Sequence, residues 1–235
     1  MTYNVHRCVG VDRKLDLSRV AAVIAHAKPD IVALQEVDVG RPRTGGVDQA
    51  HALAAKLGMA FHFNAALQVE EERYGDAILA SGELTLIKAG PLPAARGLEP
   101  RGALLVDIAL QGRRLQVLNT HLGLAPYEQR AQAAALAGPE WLGGAHRRDP
   151  IVLLGDFNAT PRYAAYQTLA AILPDARGTA RAAHPPTFPS RLPMLALDHV
   201  FVSGGIRVTS ALTLTEPLTR LASDHLPLVV DFELA

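Results

Sequence analysis

Ile151-Val152-Leu153-Leu154-Gly155-Asp156-Phe157-Asn158-Ala159 is the stretch from which the rest of the chain is read. A run of apolar residues this short between polar flanks predicts a buried strand, not a helix. Gly155 allows close backbone approach at the strand's end. Asp156 and Asn158 are two positions apart, and an extended backbone points both to one side. A charged and a neutral oxygen donor suit a hard cation together with a hydrogen bond to phosphate or water. The plain alternative is an Asx turn that merely ends the strand.

The same design recurs along the chain. Ile31-Val32-Ala33-Leu34 delivers Gln35-Glu36, and Val117-Leu118 delivers Asn119-Thr120-His121. Leu221-Ala222 precedes Ser223-Asp224-His225, and Asp198-His199 opens the strand Val200-Phe201-Val202. Open sheets collect functional groups where strands meet loops, so these ends can converge on one site. Glu36 after a buried strand calls for a partner or an ion. Adjacent Asp224 and His225 face opposite sides, which lets one serve a metal and the other a substrate proton. Asp198 can hold the His225 imidazole in one tautomer, as the aspartate of a catalytic triad does. His121 is read as a phosphate ligand or proton donor, against the alternative of a surface histidine. His199 is read as structural. His6, His26, His51, His62, His146 and His184 have no comparable setting.

Helices are predicted over Leu17–Ala27, Val47–Leu57, Tyr127–Leu136 and Tyr163–Ala171, the last with Pro161 in its first turn. Further strands are expected over 1–5, 59–64, 76–80, 84–89, 103–110, 115–119, 206–212 and 226–232. Glu70-Glu71-Glu72-Arg73 reads as a charged loop, Gln111-Gly112-Arg113 as a hairpin turn, and 174–193 as loop. Many strands with about four helices argue for a sheet-dominated α/β fold. No repeat or linker divides the 235 residues, so one domain over 1–235 is expected.

Composition narrows the function. Lys plus Arg and Asp plus Glu are 23 each, a net charge of zero, without the basic excess of a dedicated DNA-binding surface. The single cysteine, Cys8, excludes an intramolecular disulfide and reads as a small packing residue. No run reaches the roughly 18 apolar residues of a membrane span, no hydrophobic hairpin suited to membrane insertion is evident, and no signal peptide opens the chain. A soluble, cytoplasmic, monomeric protein is expected. A strand at residue 1 is abrupt, and an earlier native start stays open.

Taken in order, the motifs resemble the endonuclease/exonuclease/phosphatase superfamily of deoxyribonuclease I-like enzymes. Those motifs are Thr2-Tyr3-Asn4-Val5-His6, Asp30 through Glu36, Tyr74-Gly75-Asp76-Ala77-Ile78-Leu79, Asn119-Thr120-His121-Leu122, Gly155-Asp156-Phe157-Asn158, Leu197-Asp198-His199-Val200-Phe201-Val202-Ser203 and Ser223-Asp224-His225-Leu226-Pro227. The resemblance implies a four-layer α/β/β/α sandwich of two mixed, mainly antiparallel sheets with one site where they open. It implies Mg²⁺ or Mn²⁺ held by Glu36 with Asn4 and Asp224 nearby. It implies Asp156 and Asn158 orienting water and phosphate, His225 with Asp198 as base or transition-state stabiliser, and His121 on the phosphate or leaving group. The expected reaction is hydrolysis of a phosphoester, most readily a phosphodiester, by in-line water. Nucleic acid, phospholipid and small phosphoester all stay open as substrates. Tyr74, Arg101 and Arg130 are possible substrate contacts, with packing or surface roles equally open. A catalytically silent binding module on the same fold is the alternative from another class. A zinc hydrolase lacks the His-x-His or His-Glu-x-x-His spacing it needs.

Overall fold

The apolar runs become strands of two sheets, and their order explains why the polar ends meet. The structure is a computed structural model describing residues 1–148, 150–179 and 186–234; His184 and Pro185 lie outside the described residues. The strands are β1 (Thr2–Asn4), β2 (Ile31–Val39), β3 (Ala60–Val69), β4 (Glu72–Ala80), β5 (Glu83–Pro91), β6 (Gly102–Leu110), β7 (Arg113–His121), β8 (Ile151–Asp156), β9 (Asp198–Val202), β10 (Ile206–Thr213) and β11 (Leu228–Leu234). They form a six-stranded sheet, β10-β11-β1-β2-β4-β3, and a five-stranded sheet, β5-β6-β7-β8-β9.

Each sheet contains one parallel pair among antiparallel neighbours. β1 runs parallel to β2 with Asn4 beside Gln35, and β7 runs parallel to β8 with His121 beside Asp156. Parallel pairing puts both carboxyl ends at the same edge, so the residues that follow each strand arrive together. β9 is antiparallel to β8 and begins at that edge, with Asp198 opposite Asp156.

The sheets stack face to face over a shared core that includes Ala33 and Ile78 from one and Leu104, Val106, Val117 and Val200 from the other. Fully burying a side chain of this size contributes roughly 1.5–3 kcal/mol. The helices α1 (Leu17–Ala27) and α2 (Gln49–Leu57) pack on the outer face of the six-stranded sheet through Val20, Ile24 and Leu53. On the other side α3 (Pro126–Ala137) and α4 (Ala164–Ala170) pack through Ala133, Leu136, Ala165 and Leu169. The result is the α/β/β/α sandwich. Asp16 caps α1 by accepting a hydrogen bond from the Arg19 N–H, and Asp48 caps α2 through the His51 N–H.

Amides bolt the two sheets together beneath the site. Gln35 Nε2 donates to Asn119 Oδ1 at 2.8 Å, and Asn119 Nδ2 donates back to the carbonyls of Leu34 and Ala77 at 3.0 and 2.9 Å. Each buried amide proton named here has a partner, which low-dielectric burial demands.

Several elements differ from their sequence-based expectations. β2 does not end at Leu34; its pairing with β4 is interrupted by a bulge between Leu34 and Val37 and then resumes to Val39. β3 and β4 extend through the charged run, leaving a tight turn at Glu70, whose φ is +54°. Cross-strand pairs such as Gln68 with Arg73 hold it as an edge hairpin that needs no apolar core. Two short helices, α5 (Ala176–Thr179) and α6 (Pro217–Ala222), add to the expected four. α4 begins after Tyr163, so Pro161 lies before the helix and not in its first turn.

Candidate active site

Glu36 owes its position to the bulge. Its φ is +59°, a left-handed conformation uncommon for a residue with a side chain. The local break in pairing re-aims the carboxylate into the cleft, as bulges beside functional sites do. Asn158 is also left-handed, at φ +47°, so Asp156 and Asn158 do not converge through an extended backbone. The Asn158 N–H donates to Asp156 Oδ1 at 2.9 Å, which is the Asx turn, and that turn itself swings the Asn158 amide beside His121. Gly155 is required here: a Cβ would lie 1.9 Å from the Thr120 carbonyl oxygen on the neighbouring strand.

Asp156 is the hub. It is buried at the end of β8, and its Oδ2 accepts a hydrogen bond from Asn4 Nδ2 at 3.0 Å. The same oxygen lies 3.4 Å from His121 Nε2 and 3.6 Å from His225 Nε2. Asn4 Nδ2 also donates to Glu36 Oε1 at 3.0 Å, while Asn4 Oδ1 accepts from the His6 N–H. Asn4 thus offers N–H groups to two carboxylates, and its Oδ1 keeps a second lone pair beyond the bond from His6. On the far side His225 Nδ1 donates to Asp198 Oδ2 at 2.9 Å, and the Phe188 ring lies 4.8 Å from the His225 ring.

Charge states follow from these neighbours. Burial opposes a charged His225, but the Asp198 and Asp156 carboxylates and the Asp198 hydrogen bond outweigh it and raise the group to about 10. His225 is therefore an imidazolium near neutral pH. Burial drives His121 the other way, well below its ordinary range, with Arg101 and His225 adding to the effect. Arg101 Nη1 lies 3.1 Å from His121 Nδ1. A guanidinium can only donate, so Nδ1 accepts and the single ring proton sits on Nε2, facing Asp156. The Asn158 amide nitrogen, 3.1 Å from Nε2, then touches the ring without bonding to it and donates to the Leu122 carbonyl at 2.9 Å. Asp156 is raised by burial and Asp198 against the pull of the imidazolium.

The cleft above these groups has a volume of about 540 Å³. Glu36, His121, Asp156, Asn158, Asp224 and His225 line it directly, while Asn4 and Asp198 are fully buried behind them. All eight residues singled out from the sequence thus meet at one place. Among the described residues, Asp156, Asp198 and His225 form a trio whose carboxylate and imidazole atoms all lie within 4.8 Å of one another. There Asp198 Oδ2 already accepts from His225 Nδ1, while Asp198 Oδ1 is buried without a hydrogen-bond partner. Glu36 and Asp224 are half-buried and open onto the cleft, so carboxylate oxygens remain accessible to a hard divalent cation.

Other residues join the site. His6, Arg7, Arg43, Tyr74, Glu99 and Arg101 also line the cleft. His6, Arg7 and Cys8 are consecutive left-handed residues, with φ of 44°, 57° and 57°, a strained turn directly after Asn4. The asparagine two positions before His6 and the polar loop after it signal a turn, but nothing in the sequence signals its hand. Asp76 is buried beneath the cleft; burial first, then Glu36 and Asp156, raise it to about 8 against the pull of Arg101. Arg101 pairs with Glu99 at 2.7 Å, whereas Arg130 is exposed on α3 and does not line the cleft. His199 is buried between Asp175 and the Ala159 carbonyl, at 3.2 and 2.8 Å, away from the cleft lining. The segment Phe188–Leu195 closes a short antiparallel turn that carries Leu192 and Met194 outward, so a small exposed apolar loop exists where none was evident in the sequence.

The sequence profile of the endonuclease/exonuclease/phosphatase family matches residues 1–225. The chain belongs to that family. It is 27% identical over 246 aligned residues to the uncharacterised protein YbhP of Escherichia coli, covering 100% of this chain and 95% of YbhP. Its fold is similar to that of an endonuclease/exonuclease/phosphatase protein from Beutenbergia cavernae, with TM-score 0.80, 24% identity, and coverage of 99% of this chain and 70% of that one. It is also similar to a mannosyl-6-phosphatase from Bacteroides thetaiotaomicron, with TM-score 0.81, 18% identity, and coverage of 99% and 98%. The family's members are phosphoesterases, and the sandwich found here is their fold. No helix among the described residues is long and apolar enough to cross a membrane.

Proposed function

We propose that this protein hydrolyses a phosphoester, most readily a phosphodiester, by in-line attack of water with the help of a divalent cation. The observation that carries the reading is the convergence, from both sheets, of Asn4 and Glu36 with His121, Asp156, Asn158 and the Asp198–His225 pair. Asp156 is the base. Its Oδ2 faces the cleft between two imidazoles, and a carboxyl group held above its usual range is suited to taking a proton near neutral pH. The His225 imidazolium, anchored by Asp198, meets the negative charge that develops on the phosphoryl and leaving oxygens. His121 Nε2–H and the Asn158 amide supply further fixed donors to the phosphate. Arg101 holds His121 neutral and in one tautomer, a positioning role.

Glu36 and Asp224, with Asp156 adjoining, are the residues that would hold the cation, and Asn4 steadies Glu36. A bound divalent cation supplies phosphate charge neutralisation and stabilisation of the leaving oxygen. All-oxygen donors favour Mg²⁺ or Mn²⁺ over Zn²⁺.

The test is turnover by metal-stripped protein with Mg²⁺ or Mn²⁺ restored. The panel contains bis-p-nitrophenyl phosphate, p-nitrophenyl phosphate, plasmid DNA, sphingomyelin and, because one structural neighbour is named a mannosyl-6-phosphatase, a hexose 6-phosphate. Metal-restored turnover that falls at least ~100-fold in Asp156→Ala and His225→Ala is expected. Metal binding without turnover on any of them would favour a silent binding module.

A further inference from the structure

The cleft has two unlike walls. Among the described residues the arginines that line it, Arg7, Arg43 and Arg101, all precede His121 in the chain. The loops that follow His121 supply Leu124, Tyr163, Phe188 and Leu195 to the lining, and among the described residues from Leu124 onward no Lys or Arg joins it. These loops belong to the β7–α3, β8–α4 and pre-β9 connections at one edge of the five-stranded sheet.

Isolated exposed apolar residues are ordinary on any surface. Concentration beside a reactive centre is not. Leu124 is 75% exposed, Tyr163 44% and Leu195 42%, and Leu192 and Met194, in the same loop as Leu195, are each 67% exposed. Apolar surface gathered at a concave site marks a ligand or partner surface. The wall also starts at the candidate site itself, because the Phe188 ring packs, tilted by 46°, with its centroid 4.8 Å from that of the His225 ring.

We propose that the wall formed by Leu124, Tyr163, Phe188 and Leu195 binds an apolar substituent of the substrate, so that the phosphoester cleaved here is amphipathic. This rests on the phosphoesterase reading above. The phosphoryl group lies over Asp156, and the apolar arm extends from it across these loops. A polynucleotide would instead lay its next phosphate along this wall, whose described lining carries no Lys or Arg, the exposed Arg162 and Arg191 of the same loops lying outside it. The zero net charge of the chain agrees with that exclusion.

Binding of an alkylphosphonate series to the Mn²⁺-loaded protein, measured by calorimetry, tests the proposal without depending on turnover. Methyl-, butyl- and octylphosphonate share one headgroup and differ only in the arm. Affinity is expected to rise two- to four-fold per methylene over the first few carbons; the upper figure corresponds to the ~0.8 kcal/mol of a fully buried CH₂. The double variant Leu124→Ser/Leu195→Ser should flatten that dependence while methylphosphonate affinity holds. Leu212→Ser, which alters an exposed leucine outside the cleft lining, should leave the slope intact. Comparison of hexyl- with phenylphosphonate then separates an aliphatic from an aromatic arm. Equal affinity for methyl- and octylphosphonate would overturn the inference and leave the phosphoesterase reading standing. A chain-length slope that survives the double variant would overturn the assignment to this wall. Failure to bind any phosphonate, with no turnover on the panel above, would instead count against the phosphoesterase reading itself.

Discussion

Replacing Asp198 by Asn removes one charge from beneath His225 and keeps a side chain able to accept its Nδ1–H. The two groups are 2.9 Å apart and both are buried. Opposite unit charges about 4 Å apart at an effective dielectric near 20 attract by ~4 kcal/mol. Since 1.36 kcal/mol corresponds to one pH unit, losing that attraction moves a midpoint by about three. His225 should therefore fall from about 10 to about 7 in the metal-free variant. The assay is NMR of ¹³C,¹⁵N-labelled histidine rings across pH 5–11, with His225 assigned by its absence in His225→Gln. Stability supplies a second reading. A group raised above its ordinary 6.5 contributes stability that is complete below 6.5 and lost as pH rises through about 10. The urea midpoint of the wild type should decline over that window, and the decline should be smaller and end nearer pH 7 in Asp198→Asn. A wild-type His225 that titrates near 6.5, or identical titrations in the two proteins, would refute the reasoning.

Three further outcomes are expected. Gly155→Ala forces a Cβ to within 1.9 Å of the Thr120 carbonyl, and overpacking of that kind costs roughly 1–3 kcal/mol or more, readable in urea denaturation. Glu36→Gln keeps the size of the side chain, removes its charge and should weaken Mn²⁺ binding at least ~10-fold by calorimetry, with the fold unchanged by circular dichroism. Asp175 is held below its ordinary range: burial opposes this, but the His199 hydrogen bond and Arg177 prevail. Its stabilisation is therefore present above about pH 4 and lost as pH falls, so Asp175→Asn should flatten the acid limb of a stability profile.

Much of this was legible because two simple patterns carried it. Short apolar runs bounded by polar residues located β2, β8 and β9, and polar residues at their ends located Glu36, Asp156 and Asp198. The shape of the arrival was not legible. Nothing in Leu34-Gln35-Glu36-Val37 announces a bulge, because a bulge depends on what the neighbouring strand pairs with. The left-handed turns at His6 through Cys8 and at Asn158 are likewise imposed by packing, and bulky residues there contradict local preference. Asp76 was hidden for a different reason. It sits inside β4, where a buried charge looks like an ordinary polar position until its partners come from other strands; Arg101, read from the sequence as a possible substrate contact, gave no sign there of its place against His121. α6 is only six residues long and gives too short a period to register.

The position of β1 has a consequence for how the protein is made. β1 lies between β2, which follows it closely in the chain, and β11, which is synthesised more than two hundred residues later; Thr2 pairs with Leu228. Until β11 emerges, β1 is an open sheet edge beside an apolar face, the kind of surface that recruits strands from other chains. His225 emerges just ahead of β11. The step that seals the sticky margin and the step that delivers the imidazolium are thus one event. A nascent chain stalled before it would lack both its sealed edge and one wall of the candidate site, and a chaperone that shields that margin would be guarding the unfinished site as well.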